Sequence, residues 1–197
     1  MRKETAVLLV GGAIAAATLA GRRYSPRPQH PESLAWYDSI EKPAFTPPPA
    51  AIGAVWGVLE VLLGITGYRL LTAPPSKQRT RALVPWSLIV AGLGTHSWLF
   101  FGRKRLDQSM VLVGGLLASS IASILTAARV DKLAAKAGVP LLAWVSCASL
   151  LAEETWRLNR KPGLGGSGVP AVAADRLPAL SSAEATVQAA RRTLARA

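Results

Sequence analysis

Five apolar stretches, each long enough or nearly long enough to cross a bilayer, constrain this chain more than any other feature. A helix needs about 20 apolar residues to span the hydrocarbon core, and its backbone groups in lipid must be hydrogen-bonded within the segment. The sequence therefore predicts an all-α integral membrane protein, a five-transmembrane-helix bundle within residues 1–160. The stretches cover residues 5–20, 50–71, 83–101, 110–128 and 139–156.

The charge pattern agrees with a membrane protein. Half of the 197 residues are hydrophobic, and the net charge is +12. The basic residues flank the apolar stretches, as at Arg22, Arg23, 77–81 and 103–105, which is typical of loops that meet anionic lipid headgroups. Nucleic acid is not an expected partner, although a charge of this size raises the question. The lipid bilayer is the expected one.

The first stretch has two interpretations, and its length does not decide between them. Residues 5–20 are slightly short for a span, and Ala15, Ala16 and Ala17 offer the small residues of a signal-peptide cleavage site. Residues 22–49 hold too many prolines and charges for a membrane helix, so we expect an extramembrane loop. Residues 161–197 turn to Gly, Pro, Ala and Ser, which predicts a flexible basic C-terminal tail.

Two of the ionisable side chains in the apolar stretches, Glu60 and His96, are candidates for a functional role. Glu60 lies near the middle of the second stretch, and His96 lies near the end of the third. Such groups are costly in lipid and usually face the protein interior. His96 could pair with Glu60 or approach a haem iron, either side chain could contact a ligand, or the two could make a satisfied polar contact between the second and third spans.

Helical spacing groups several further residues. Trp56 and Glu60 are four residues apart, as are Trp144 and Ala148, so each pair shares a helix face.

Small residues recur through 114–123, a pattern that serves a homodimer contact or packing inside one bundle. No catalytic triad, metal-ligand spacing or phosphate loop occurs, so neither a hydrolase nor a metal site is expected. The lone Cys147 excludes a disulfide framework.

Three separated segments resemble the TspO/MBR family, the tryptophan-rich sensory or translocator proteins. The first is 36–48, WYDSIEKPAFTPP; the second is 99–102, LFFG, with its basic follow-on; the third runs from Pro140 through Trp144, Val145, Ser146 and Ala148 to Trp156-Arg157-Leu158-Asn159. Together they cover about residues 5–160. The resemblance implies a five-helix bundle in a bacterial cytoplasmic membrane, with the first stretch retained.

The resemblance also implies a function. Family members bind porphyrins such as protoporphyrin and haem, sterols and aromatic drugs in a pocket that the first loop closes, and some promote light-dependent porphyrin breakdown through two tryptophans. Those tryptophans match Trp56 and Trp144. We therefore expect a porphyrin-binding sensor or transporter that requires no cofactor, with an enzymatic role left open. The candidate binding residues are Trp56, Trp144, Ala148, Glu60, His96, Phe100, Trp36, Tyr37, Lys42, Pro43, Phe45, Pro47 and Pro48.

Departures from the family pattern keep an alternative open. The pocket is less aromatic and more ionisable than the family norm, so the chain could be a divergent transport or interaction protein that has lost tetrapyrrole binding. Trp36, Trp86 and Trp98 lie near helix ends or loops, where tryptophans also serve simply to fill the bundle or anchor it at the interface. The departing positions are Ala50, Glu60, Leu93, His96 and Ala152.

Overall fold

The computed structural model describes residues 2–160, and all the regular structure in that range is helical. Five of the helices are long and apolar enough to cross a membrane, which confirms the predicted five-span bundle. The tail predicted for residues 161–197 lies outside the described residues. The helices are α1 (Lys3–Arg22), α2 (Pro31–Ser39), α3 (Pro49–Thr72), α4 (Lys77–Ser97), α5 (Leu106–Ala127) and α6 (Lys132–Asn159), and a π-helical turn, Trp98–Gly102, continues α4.

The five long helices form a closed ring. Each packs against two neighbours, in the order α1, α3, α6, α5, α4 and back to α1. Helices α3 and α4 also touch across the middle of the ring. The short helix α2 lies between α1 and α3 in the chain, at the end of the bundle where α1, α4 and α6 finish. We call this the lid end, and the opposite end the far end.

The first apolar stretch is a full member of the bundle. Helix α1 is 20 residues long, and it buries Ala6, Val10 and Ile14 on the side that packs against α3 and α4. The predicted stretch, residues 5–20, was shorter than the helix because Lys3 and Glu4 belong to its first turn. An apolar window detects the lipid-facing part of a helix and omits charged turns at the interface.

Helices α4 and α6 likewise begin before their apolar stretches. The Ser76 hydroxyl accepts a hydrogen bond from the Arg79 amide at 3.1 Å, so α4 starts six residues before the predicted position 83. The Asp131 carboxylate accepts bonds from the Leu133 and Ala134 amides, and α6 starts seven residues before 139. Such side chains satisfy amides that the first helical turn leaves free.

The loop predicted for 22–49 contains the helix α2, which was not predicted from the sequence. The helix begins at Pro31, where the missing amide does least harm, and buries Trp36 against the bundle.

The small-residue ridge of α5 divides between two faces. Gly114, Gly115 and Ala118 lie on the outside of the bundle, whereas Ser120 and Ser123 are buried within it. The homodimer suggested for this ridge stays a prediction.

Candidate ligand-binding site

One stripe of α3 faces the interior of the ring. Its residues follow a four, three, four spacing that keeps them on one helix face: Trp56, Glu60, Leu63 and Gly67. Contacts with α4 fix the direction of this face, because the Trp86 indole Nε1–H donates to the Leu63 carbonyl oxygen at 3.0 Å. A side chain at Gly67 would overlap the same indole. Trp86 thus fills the ring towards the far end, and Trp56 and Glu60 face the interior nearer the lid end.

Trp56 meets Trp144 of α6 inside the ring. The ring centroids are 6.4 Å apart and the planes lie at 85°, an edge-to-face arrangement that aromatic pairs favour. The Trp144 Nε1–H is buried and has no acceptor within residues 2–160. Since a buried indole N–H usually has a partner, this donor is available to an acceptor on a bound molecule. The half-buried Ala148 lies one turn away on α6.

The short helix α2, which we call the lid helix, packs on an aromatic cluster at the lid end. Trp36, Ile40 and Leu106 are buried together, with Tyr37, Phe100, Phe101 and Trp156 around them. The Trp36 and Phe100 ring centroids are 5.5 Å apart, and those of Tyr37 and Phe101 are 5.6 Å apart. We call these seven residues the lid cluster. Interface anchoring was an alternative for Trp36, but the structure buries its ring in the lid cluster.

Two polar side chains, Tyr37 and Lys42, lie next to each other at the end of α2. Burial, and to a smaller extent the Asp38 carboxylate, raises the pKa of the Tyr37 phenol above its ordinary value. The phenol is therefore a neutral hydrogen-bond donor at neutral pH. The Lys42 ammonium lies 4.5 Å from the centre of the Tyr37 ring and donates to the Ile40 carbonyl oxygen at 3.1 Å, so Lys42 holds the end of α2 in place.

A side-chain amide fastens the lid to α6. The Glu41 amide donates to Asn159 Oδ1 at 3.0 Å, and Asn159 Nδ2 donates to the Glu41 carbonyl oxygen at 2.8 Å. The same nitrogen donates to the Thr155 carbonyl oxygen at 2.8 Å, which fixes the side-chain orientation. We call this arrangement the lid latch.

The remaining predicted lid residues divide between inside and outside. Pro43 is buried and Pro47 is half-buried, whereas Pro48 is exposed. Phe45 is 60% exposed, so the structure does not bring its ring to the pocket.

Glu60 and His96 do not form the pair that the sequence suggested. The Thr18 hydroxyl of α1 donates to Glu60 Oε1 at 2.9 Å, so the polar contact joins the first and second spans. His96 instead stacks on Phe100, with centroids 5.7 Å apart and planes at 19°. Glu60 lies midway along α3, whereas His96 lies in the last turn of α4, beside the lid cluster. Within residues 2–160, no three His, Cys, Asp or Glu side chains group as a metal site.

The structure also shows a cavity away from the tryptophan pair. It measures about 10 Å³, room for roughly one water molecule. A tetrapyrrole does not fit in this cavity. The cavity is lined by Leu63, Thr66, Ile89, Ser120, Ser123, Ala137, Gly138 and Leu141.

The contacts of two residues, Thr18 and Asn159, were not predicted from the sequence. Thr18 lies in an apolar run, where a lone hydroxyl has no pattern that predicts its partner. Asn159 closes the Trp-Arg-Leu-Asn segment that carried part of the resemblance, and its position at the end of α6 was the available signal. Trp98, by contrast, is an interface residue, since it is 39% exposed and its ring centroid lies 5.3 Å from the Arg103 guanidinium.

Comparisons with known proteins agree with this architecture. The sequence profile of the TspO/MBR family matches residues 6–157. Protein CrtK of Rhodobacter capsulatus is 32% identical over 155 residues, which are 78% of this chain and 91% of that protein. The translocator protein of Homo sapiens is 34% identical over 135 residues, 66% of this chain and 78% of its own.

A third relative matches this chain over nearly the whole of its own length. The tryptophan-rich protein TspO of Chlorobaculum tepidum is 30% identical over 162 residues, 81% of this chain and 99% of that protein. The family match, the five spans and these relatives confirm the resemblance seen in the sequence. The chain is therefore a multi-pass integral membrane protein that belongs to the TspO/MBR family.

Proposed function

We propose that this protein binds porphyrin, such as protoporphyrin or haem, or a similarly flat hydrophobic molecule, between Trp56 and Trp144 beneath the lid. The observation that carries the proposal is the contact of these indoles inside the ring, with the Trp144 N–H buried and unpaired within the described residues. Offset stacking on an indole contributes about 0.5–1.5 kcal/mol beyond the burial of apolar area. A flat ring system gains the most stacking free energy from the face of an indole.

The lid supports a gated site. Its buried aromatic side chains and the lid latch hold α2 over the bundle, so a ligand enters when these contacts open. Relatives carry the names translocator protein and tryptophan-rich sensory protein. We propose for this chain a role of the same kind, in sensing or moving a hydrophobic ligand at the membrane.

Quenching of tryptophan fluorescence by protoporphyrin tests the proposal. The full-length protein in lipid nanodiscs is titrated in the dark, and Trp98→Leu serves as a control because Trp98 lies at the interface. We expect saturable quenching at about one porphyrin per chain in both proteins. Quenching that rises without saturation, in proportion to porphyrin dissolved in the lipid, would contradict a specific site.

The same titration under illumination separates a binding role from a degradative one. Loss of porphyrin absorbance that depends on the protein would indicate breakdown. Stable absorbance with saturable quenching would indicate a binding protein. Absence of saturable binding would favour the alternative, a divergent member that has lost tetrapyrrole binding.

A further inference from the structure

Glu60 occupies a position where a carboxyl group has few natural partners. It is half-buried near the middle of the 24-residue helix α3, between Trp56 and Leu63 on the interior stripe. Its one hydrogen bond within residues 2–160 comes from the Thr18 hydroxyl. A carboxyl group offers about four lone pairs, so a single hydroxyl donor leaves most of this capacity unused.

No cation of the described residues reaches this carboxyl group. The ion pairs within residues 2–160 join Arg69 to Asp131, Arg105 to Asp107 and Arg157 to Glu154, all near helix ends. In the part of the chain that the structure describes, no basic side chain lies within 4.0 Å of the Glu60 carboxylate. Placing an acidic side chain at mid-bilayer costs about 2.5–3.5 kcal/mol on insertion scales, and such residues usually serve a function.

We propose that Glu60 gives the pocket a preference for flat aromatic ligands that carry a cationic nitrogen at one edge. The inference rests on the proposed function, because the aromatic wall is the Trp56–Trp144 site, and it adds the charge of the ligand. Trp56 and Glu60 are one turn apart, about 5–6 Å between Cβ atoms. A ring stacked on the Trp56 indole would lie within one helical turn of the carboxyl group.

Two physical effects favour a cation at this edge. An ammonium or ring N–H⁺ donates a charge-assisted hydrogen bond to a carboxylate, which is stronger than a bond between neutral groups. The face of an indole also attracts a cation within about 6 Å. A ligand with acidic groups, such as protoporphyrin, avoids repulsion by turning them towards the lid end, where Lys42 lies.

Two three-ring probes test the preference. 9-Aminoacridine is a flat cation at neutral pH, and 9-methylanthracene is a neutral molecule of similar shape. Their dissociation constants are measured for the full-length protein in nanodiscs and for Glu60→Gln. We expect Glu60→Gln to weaken aminoacridine binding about tenfold and to change methylanthracene binding less than about twofold. Glu153→Gln removes an exposed acid of α6 and serves as the control, which should change neither.

Further variants keep the inference separate from the proposed function. Glu60→Asp retains the acid but withdraws it by one methylene, so its loss of aminoacridine affinity should be intermediate, and circular dichroism checks that each variant is folded. Trp144→Leu should weaken both probes. Equal effects of Glu60→Gln on both probes, or no effect, would overturn the preference while Trp144-dependent binding upholds the pocket. Native protein that binds neither probe nor protoporphyrin would overturn both proposals.

Discussion

Asn159 and Glu41 exchange two hydrogen bonds across 118 residues of sequence, at 3.0 and 2.8 Å. This pairing joins the last turn of α6 to the segment that follows the lid helix. The lid cluster buries apolar side chains between α2 and the bundle. The Asn159 amide adds two hydrogen bonds that fix the position of Glu41. These contacts hold α2 at a defined place, and its displacement would break the two hydrogen bonds to Asn159.

Asn159→Ala should loosen the lid without unfolding the bundle. Each hydrogen bond contributes about 0.5–1.5 kcal/mol, so the loss of this pairing should raise the hydrogen-exchange rate of the Glu41 amide about fivefold or more. Mass-spectrometric hydrogen exchange in nanodiscs measures this rate. Arg157→Ala is the matched control, because Arg157 pairs with Glu154 on α6 and has no hydrogen bond to the lid. An unchanged rate in Asn159→Ala would mean that the pairing does not restrain the lid.

Gly67→Ala should destabilise the bundle, because the added methyl group would overlap the Trp86 indole. Overpacking of this kind costs about 1–3 kcal/mol. Gly57→Ala, ten residues earlier on the same helix, meets open space and should be nearly neutral. Thermal unfolding in detergent compares the two. Equal melting temperatures for both variants would show that Trp86 does not fill the ring as described.

The Asp131 carboxylate should make stability depend on acid pH. Its pKa is lowered chiefly by the hydrogen bond from the Arg69 side chain and then by those from the Ala134 and Leu133 amides. Because the folded-state pKa lies below the unfolded value of about 3.9, this stabilisation is present at neutral pH. It is lost as the pH falls through the folded-state pKa.

Asp131→Asn provides the comparison. The melting temperature of the native protein should exceed that of Asp131→Asn at pH 7, and the gap should narrow below about pH 4. A gap that stays constant from pH 7 to pH 3 would contradict a stabilising role for the ionised carboxylate. The difference between the two proteins isolates Asp131 from the other acidic groups.

The architecture was predictable because lipid imposes a strong constraint. A spanning helix must be apolar for most of its length, so five apolar stretches predicted five spans, and the helices beginning at Lys77 and Lys132 differed only in polar turns at the interface. Helix α2 was missed because nine residues with weak amphipathic character carry little signal beside several prolines.

The site was partly predictable for a different reason. Helical spacing placed Trp56 with Glu60 and Trp144 with Ala148, since residues four apart share a face. Which faces meet across the ring depends on helix rotation and depth, and a single sequence does not contain that information. The structure therefore pairs Glu60 with Thr18 rather than with His96.

A double-mutant cycle on Trp56 and Trp144 tests the central claim most directly. Protoporphyrin dissociation constants are measured in the dark for the native protein, Trp56→Leu, Trp144→Leu and the double variant. Each single substitution should weaken binding by about 1–3 kcal/mol, a five- to two-hundredfold change. The double variant should lose less than the sum, because both rings contact one ligand. Unchanged binding in both single variants, with the bundle still folded, would contradict the account.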